Sequence, residues 1–396
     1  MKIHDEKLDS GKIRLVSLVS FFMGFSQAFF IYIMSSYFKA ASGIENVGGF
    51  YLAAYAVTLI CILNLHKVIK RFGKSDVFYF SLFLKILTIV FLLLIPPSWI
   101  AILLVVFYII FGNLEWVSLD IILESCSKDC MSGRIRGKFL TIMNAGILLG
   151  PLLSVLILGR YDFYGIFLLL LVFNVFIFFI AIFSFKNVNH RFEKKLAVKD
   201  IAKKVIARKD IRNIFYISFV LDFFYALMLI YVPIYLADLG FSWDKIGIIF
   251  TAMLVPFVIL QYLVGILADK KMGEKELLIS SILIMGLSTL AIYFISSGTV
   301  LIWSVILFLT RIGAALIEIL RDSYFYKRID GRDVDLIDFF RTSNSLAYIS
   351  ASVFSIVIIF FFSIKAVFIL AGLVVISALY STIKLADNKS EKEISQ

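Results

Sequence analysis

Charge is scarce in this sequence: 17% of its 396 residues are Asp, Glu, Lys or Arg, against 61% that are hydrophobic. A soluble domain is roughly 25% charged and 45–50% apolar. An interior of this length cannot hold such a surplus, so a water-soluble globule is excluded and the solvent is lipid. Cysteine is also sparse. Cys61, Cys126 and Cys130 are too few for a disulfide framework. The stretch "ESCSKDC", in which Cys126 and Cys130 bracket Asp129, matches no zinc signature and has no histidine nearby. It reads as reduced cysteines at a helix end.

Histidine is limited to His4, His66 and His190, all at the inner end of an apolar run or outside the runs, which excludes an intramembrane haem or metal cluster. No Ser-His-Asp or His-Glu-x-x-His pattern occurs, so enzyme chemistry is not expected and no cofactor is implied. "GKS" at Gly73–Ser75 resembles the end of a phosphate loop, but Val68 stands where the upstream glycine is required, so no ATP-driven pump is encoded.

What the chain does have is twelve apolar segments: 14–38, 48–66, 77–96, 99–123, 138–159, 163–185, 213–237, 243–268, 277–295, 299–321, 339–362 and 365–384. Most are long enough to cross a hydrocarbon core of ~30 Å at 1.5 Å per residue. Of the 39 Lys and Arg, Lys39, Arg160, Lys245 and Lys365 fall in one set of alternate loops, Lys85 and Arg311 lie within spans, and all others fall on the opposite side. That asymmetry predicts both termini in the cytoplasm, and it explains the net charge of +11 without a nucleic-acid partner. The first span is longer than a signal-peptide core and lacks a small-residue cleavage site, so it is expected to remain as the first transmembrane helix.

Between the sixth and seventh segments lies "KNVNHRFEKKLAVKDIAKKVIARKDIRN" (186–213), with ten Lys and Arg. Leu196, Ile201, Val205 and Ile206 predict a short amphipathic helix on the inner membrane surface. The chain therefore divides into 1–185, a basic cytoplasmic linker at 186–212, and 213–396. Six spans on each side imply an internal duplication. "LHKVIKRFGKSDV" (65–77) and "GILADKKMGEKEL" (265–277) align through Gly73 and Gly273, with Lys70 and Arg71 over Lys270 and Lys271, but Ile69 over Asp269.

"GILADKKMGEK" resembles the loop signature of the major facilitator superfamily, through Gly265, Leu267, Ala268, Asp269, the basic pair and Gly273. A second match is "NAGILLGPLLSVL" in the fifth span, similar to the antiporter motif of that family through Gly146, Gly150 and Pro151. The resemblance implies an all-α membrane protein of twelve helices in two six-helix bundles. It further implies a cytoplasmic gate carried by the 265–273 loop, with Asp269 as its latch and Gly73 at the degraded equivalent. Gly146 and Gly150, four apart, let another helix approach closely, and Pro151 bends its helix.

The resemblance also implies that spans one, four, seven and ten line a central cavity. Arg311 lies ~18 Å into span ten and Asp222 ~14 Å into span seven, both near midplane. An unpaired ionised residue there costs about 2.5–3.5 kcal/mol, so the two are expected to face the cavity and meet. Glu318, seven residues beyond Arg311, and Glu115 in span four are expected nearer the cytoplasm. Arg321, Asp322, Asp120 and Glu124 are expected as gate or interface charges. Lys85 is expected to snorkel beside a neighbouring partner. Gln27, Asn113, Asn144, Tyr225 and Gln261 supply further polar groups, of which Gln27 and Tyr225 join Asp222, Arg311, Glu115 and Glu318 as substrate- or proton-binding candidates.

The expected function is secondary active transport by a monomer in the bilayer: efflux of small cationic or amphipathic molecules in exchange for protons. The alternative is a proton-coupled importer of a small nutrient, an anionic one being anchored by Arg311. A non-transporting sensor or scaffold is the further alternative, though it would have no use for ionisable groups at midplane. The Lys-, Ile- and Phe-rich composition points to an AT-rich bacterial genome and hence to the cytoplasmic membrane.

Overall fold

The computed structural model describes residues 10–124, 132–185, 198–268, 273–296, 298–329 and 334–386. Cys126, Asp129, Cys130, Leu196, Asp269, Lys270 and Lys271 lie outside the described residues. Helices α1 (Ser10–Ile31) and α2 (Met34–Ser42) form the first crossing, followed by α3 (Gly48–Phe72), α4 (Lys74–Leu94) and α5 (Trp99–Glu124). Helix α6 (Ser132–Ser184) supplies two crossings, and α7 (Val198–Ala207) is short. Six more follow: α8 (Lys209–Asp238), α9 (Trp243–Leu267), α10 (Lys275–Ala291), α11 (Val300–Lys327), α12 (Val334–Phe361) and α13 (Ala366–Ile383). Among the described residues, eleven helical segments are long and apolar enough to cross a membrane. The 53-residue α6 folds back at Asp162, which brings the crossings to twelve.

Lipid dictates this architecture, because a backbone without water to bond must satisfy its own N–H and C=O groups, as a helix does. Lipid also explains the outward-facing aromatics, such as Phe183 and Phe360, which are 80% and 81% exposed. The reversal in α6 passes through Asp162 at φ 51° and ψ −158°, a left-handed geometry in which Asp is better tolerated than bulkier residues. Both arms return to one end of the bundle: Arg136 bonds Asp120 of α5, and the Phe185 carbonyl accepts from Ser75 Oγ at 3.4 Å. At that same end Arg328 meets Asp210, just beyond α7; it is called the α7 end below. The aligned glycines Gly73 and Gly273 both take positive φ, 106° and 67°, so each supplies the sharp turn that begins the next helix.

The first crossing departs from the single helix expected over 14–38. It runs from residue 10 to residue 42 and is interrupted at Tyr32 and Ile33, where Ile33 has φ −111° and ψ −2°. A hydrophobicity pattern cannot register such a break, because the residues on both sides stay apolar. Tyr32 packs against Phe250 of α9 with ring centroids 5.3 Å apart, so the interruption sits where the first six crossings touch the last six.

Two long seams join these sets. In one, Gly137 of α6 sits against the backbone of Gln261 in α9, with only 3.2 Å available for a Cβ. In the other, Tyr55 of α3 stacks on Tyr348 of α12 at 3.9 Å. Gly146 and Gly150 pack inside the first set: a Cβ on Gly146 would collide with the Phe21 carbonyl and one on Gly150 with Ala28. Small residues thus bring α6 flush against α1, as packing without a hydrophobic driving force requires. Pro151 follows within the same helix. Gly265 is buried in the last turn of α9. Of the expected amphipathic segment, α7 is helical; Val205 enters the core and Ile206 is exposed.

Candidate functional site: a charged central cavity

A cavity of about 260 Å³ lies between the two sets of helices. Gln27 of α1, Tyr55 of α3, Trp116 and Asp120 of α5, and Arg136 of α6 line one side. Asp222 of α8, Glu318, Arg321 and Asp322 of α11, and Arg341 and Tyr348 of α12 line the other. It approaches the lower bound of about 300 Å³ typical of small-molecule sites. Gln27 is fixed by the Trp116 indole, which donates to its Oε1 at 2.6 Å. Asp222, Glu318 and Gln27 therefore reach the cavity; Arg311, Tyr225 and Glu115 do not line it.

The expected meeting of Asp222 and Arg311 does not occur. Asp222 accepts instead from Arg321 at 3.2 Å and from Ser343 Oγ at 2.8 Å. Arg321 also donates to Ser218 Oγ at 2.8 Å. Arg311 and Asp222 were placed at one level by counting along each helix separately; the register between α8 and α11 sets Arg321 against Asp222, while Arg311, ~15 Å away along α11, faces Phe224 and Tyr225 of the same α8. Arg311 is 5% exposed, forms no ion pair among the described residues, and leaves one terminal nitrogen without a hydrogen-bond partner. Its guanidinium rests over the Phe224 ring at 5.0 Å and the Tyr225 ring at 6.0 Å. Cation–π contact of this kind contributes about 0.5–2 kcal/mol, less than the several kcal/mol that an unpaired buried ion costs.

From Asp222 a chain of charges runs to the α7 end. Arg321 Nε lies 3.5 Å from Asp322, and Asp322 pairs with Arg341 at 3.1 Å. Arg341 Nε donates to Asp120 Oδ2 at 2.6 Å, and Arg136 donates to the other Asp120 oxygen. Tyr326 donates to Asp120 at 3.3 Å, and the Arg136 guanidinium lies 4.0 Å from its ring centroid. Asp120 and Arg136 belong to the first six crossings, the rest to the last six, so the two sets are bolted together here by charge-assisted bonds. The sequence reading counted Arg136 and Arg341 only as loop charges. A signal was present: "RTSNS", Arg341–Ser345, is a polar run inside an apolar helix, which has no place facing lipid.

Glu318 is different. It is half-buried and has no ion pair among the described residues. Its Oε2 accepts from Gln261 Nε2 at 2.6 Å, and Gln261 Oε1 accepts from Asn144 Nδ2 at 3.0 Å. This amide chain ties α11 through α9 to α6, across the seam that Gly137 also occupies.

Glu115 and Lys85 form a second buried site. Lys85 does not snorkel: it is 2% exposed and bonds Glu115 Oε2 at 2.8 Å. A small void of about 30 Å³ beside Lys85 shares Gln27, Tyr55 and Asn113 with the central cavity. Breaking such a pair strands one charge and costs about 3–5 kcal/mol, whereas replacing both partners by apolar groups is close to neutral. Glu115→Met alone is therefore expected to lower the unfolding temperature sharply in detergent, and Lys85→Met/Glu115→Met to recover most of it. A double variant no more stable than the single one would show that the pair has no structural coupling.

The pattern model of the Major Facilitator Superfamily matches residues 16–331 and 215–395. The chain belongs to the major facilitator superfamily. Members of this superfamily are transporters, and this member shares their fold. The crystal structure of the human organic anion transporter MFSD10 (TETRAN) superimposes with a TM-score of 0.72 at 14% identity, covering 93% of this chain and 99% of that one. At that identity the likeness shows the fold alone. No curated protein sequence matches this superfamily member significantly.

Proposed function

We propose that this member of the superfamily is a proton-coupled secondary transporter of small molecules working by alternating access, with Glu318 as the group that carries the proton. The observation behind this reading is the state of the cavity carboxylates. Asp120, Asp222 and Asp322 each have an arginine within ion-pair distance, so protonating any of them would break an ion pair. Glu318 alone among the four faces the cavity with only an amide partner, so it can gain and lose a proton without breaking an ion pair. The same matching argues against a cavity tuned simply to attract cations.

In this reading residues 1–185 and 213–396 are two halves rocking about the cavity, joined by the basic linker at 186–212. The α7 end faces the cytoplasm, and the Asp120–Arg341 contact closes that side. The lipid is the cytoplasmic membrane of a bacterium. Two orders of binding are open to one carboxylate. If proton and substrate compete for the cavity, transport is exchange with export, which the Gly146–Gly150–Pro151 face favours by its likeness to the antiporter motif. If protonation of Glu318 favours binding, transport is co-transport, which the uncompensated Arg311 on the same helix favours.

Inside-out vesicles, acidified inside and carrying a fluorescent pH probe, test this with a panel of cations, amphipathic compounds, sugars and organic acids. Lumen alkalinisation on adding a compound to the medium indicates exchange; alkalinisation that needs the compound preloaded in the lumen indicates co-transport. Either signal must vanish in Glu318→Gln. Proton movement that survives that substitution overturns the assignment of Glu318.

A further inference from the structure

Among the described residues, Arg311 is a buried cation that the charge network around the cavity leaves out. It is buried, and its free terminal nitrogen has no acceptor. The Tyr225 hydroxyl, on the ring that the guanidinium overlies, is also buried without a partner. Two unused donors side by side at midplane describe a site whose acceptor is missing. The phenols of Tyr32 and Tyr348 lie within electrostatic reach of the same guanidinium. Tyr348 also lines the central cavity and stacks on Tyr55 across the seam. Tyr348 thus links the guanidinium to the cavity, as half of an aromatic pair that bridges the two halves.

We infer that Arg311 and Tyr225 form the anchor for an anionic group of the transported molecule, an aromatic or aliphatic carboxylate being the best fit. Arginine is suited to this task because its planar fork presents parallel N–H donors to two carboxylate oxygens, and the adjacent phenol donates a further bond. The rings of Phe224, Tyr225 and Tyr348 would flank the apolar body. Tyr32, from the interruption in the first crossing, brings the first half to the same anion, so the site is complete only when both halves contribute. Parting Tyr55 from Tyr348 opens the way to it from the cavity. The inference rests on Glu318 carrying the proton, and it then selects co-transport. Glu318 lies seven residues from Arg311 on the same face of α11, ~10 Å along the axis. Neutralising it removes the negative charge that would repel the substrate.

The test uses purified full-length protein in lipid nanodiscs and three probes of similar size: benzoate, benzyl alcohol and benzylamine. Binding is read by tryptophan fluorescence, since the Trp116 indole is held at the cavity wall. Benzoate is expected to bind saturably and the other two not. Arg311→Met is expected to weaken benzoate binding roughly 10- to 100-fold while raising the unfolding temperature of the empty protein, because an unpaired buried charge is gone. Tyr225→Phe, which leaves the fold intact, should weaken binding several-fold. Glu318→Gln, which removes the charge that would repel the substrate, should bind benzoate at least as tightly as the native protein while losing proton coupling, so failure of the proton assignment and failure of the anion site are separable. Unaltered benzoate binding in Arg311→Met, a lowered unfolding temperature in that variant, or saturable binding of benzylamine but not benzoate would each overturn the inference. So would the absence of any saturable benzoate response.

Discussion

Glu318→Gln is expected to reduce substrate-dependent proton movement to the background of empty vesicles, while exchange of labelled for unlabelled substrate across the membrane continues. The argument is one of shape against titration. A glutamine at 318 has the volume of the native residue, and its carbonyl oxygen can accept from Gln261 Nε2 as the carboxylate does at 2.6 Å. What it cannot do is bind and release a proton between pH 5 and 9. Uncoupling without loss of the carrier cycle is therefore the signature, and loss of both activities together would mean that Glu318 is a structural acceptor. Asp222→Asn is the informative contrast. It would take from Arg321, which is itself buried, the closer of its two counter-charges and leave only Asp322 at 3.5 Å; breaking a buried pair costs up to about 3–5 kcal/mol. That variant should fail in folding or in conformational balance rather than in proton coupling alone.

The second large effect concerns the contact that bolts the two halves together. Asp120 is held by Arg136 from its own half and by Arg341 from the other, with Arg341 Nε at 2.6 Å. Asp120→Asn leaves both arginines facing a neutral amide. Losing about 3–5 kcal/mol from one conformation shifts a two-state equilibrium by roughly two to four orders of magnitude. The protein should then rest open at the α7 end. A single cysteine in place of Asn344, which lines the cavity, reports this in a background with the three native cysteines replaced. Its reaction with a membrane-impermeant thiol reagent added from the α7 side should accelerate at least ~100-fold in Asp120→Asn. Arg341→Gln should act in the same direction but less strongly, because Asp120 keeps Arg136. An unchanged rate in both variants would show that the contact does not control opening.

These two expectations divide differently between sequence and structure. Apolar runs of about twenty residues and the one-sided distribution of Lys and Arg are properties of the chain itself. They are read by lipid and water before any helix touches another, so the twelve crossings and their all-helical character follow from sequence. The glycines at 146 and 150 were legible as a close-packing face for a similar reason: spacing of four residues fixes a common face whatever the partner. Which helix they would meet was not legible, and it is α1.

Partners of buried charges depend on the rotation and tilt of each helix, which are set by the packing of all its neighbours at once. Asp222 and Arg311 were both expected near midplane, yet Asp222 bonds Arg321, ten residues and ~15 Å further along α11, because the register between two helices is set by their packing. Lys85, expected to snorkel, instead finds Glu115 because α4 turns that face toward α5. Arg136 and Arg341, grouped by sequence with the topology-setting charges although the polar run at Arg341–Ser345 set the latter apart, line the cavity. The interruption at Tyr32–Ile33 arises within a continuous apolar stretch. The sequence by itself determined that the chain crosses the membrane, how many times, and that a few charges must find partners within it. Only the tertiary structure decided which partners they found, because a charge in lipid takes the nearest counter-ion that helix azimuth presents, and azimuth is a property of the packed bundle.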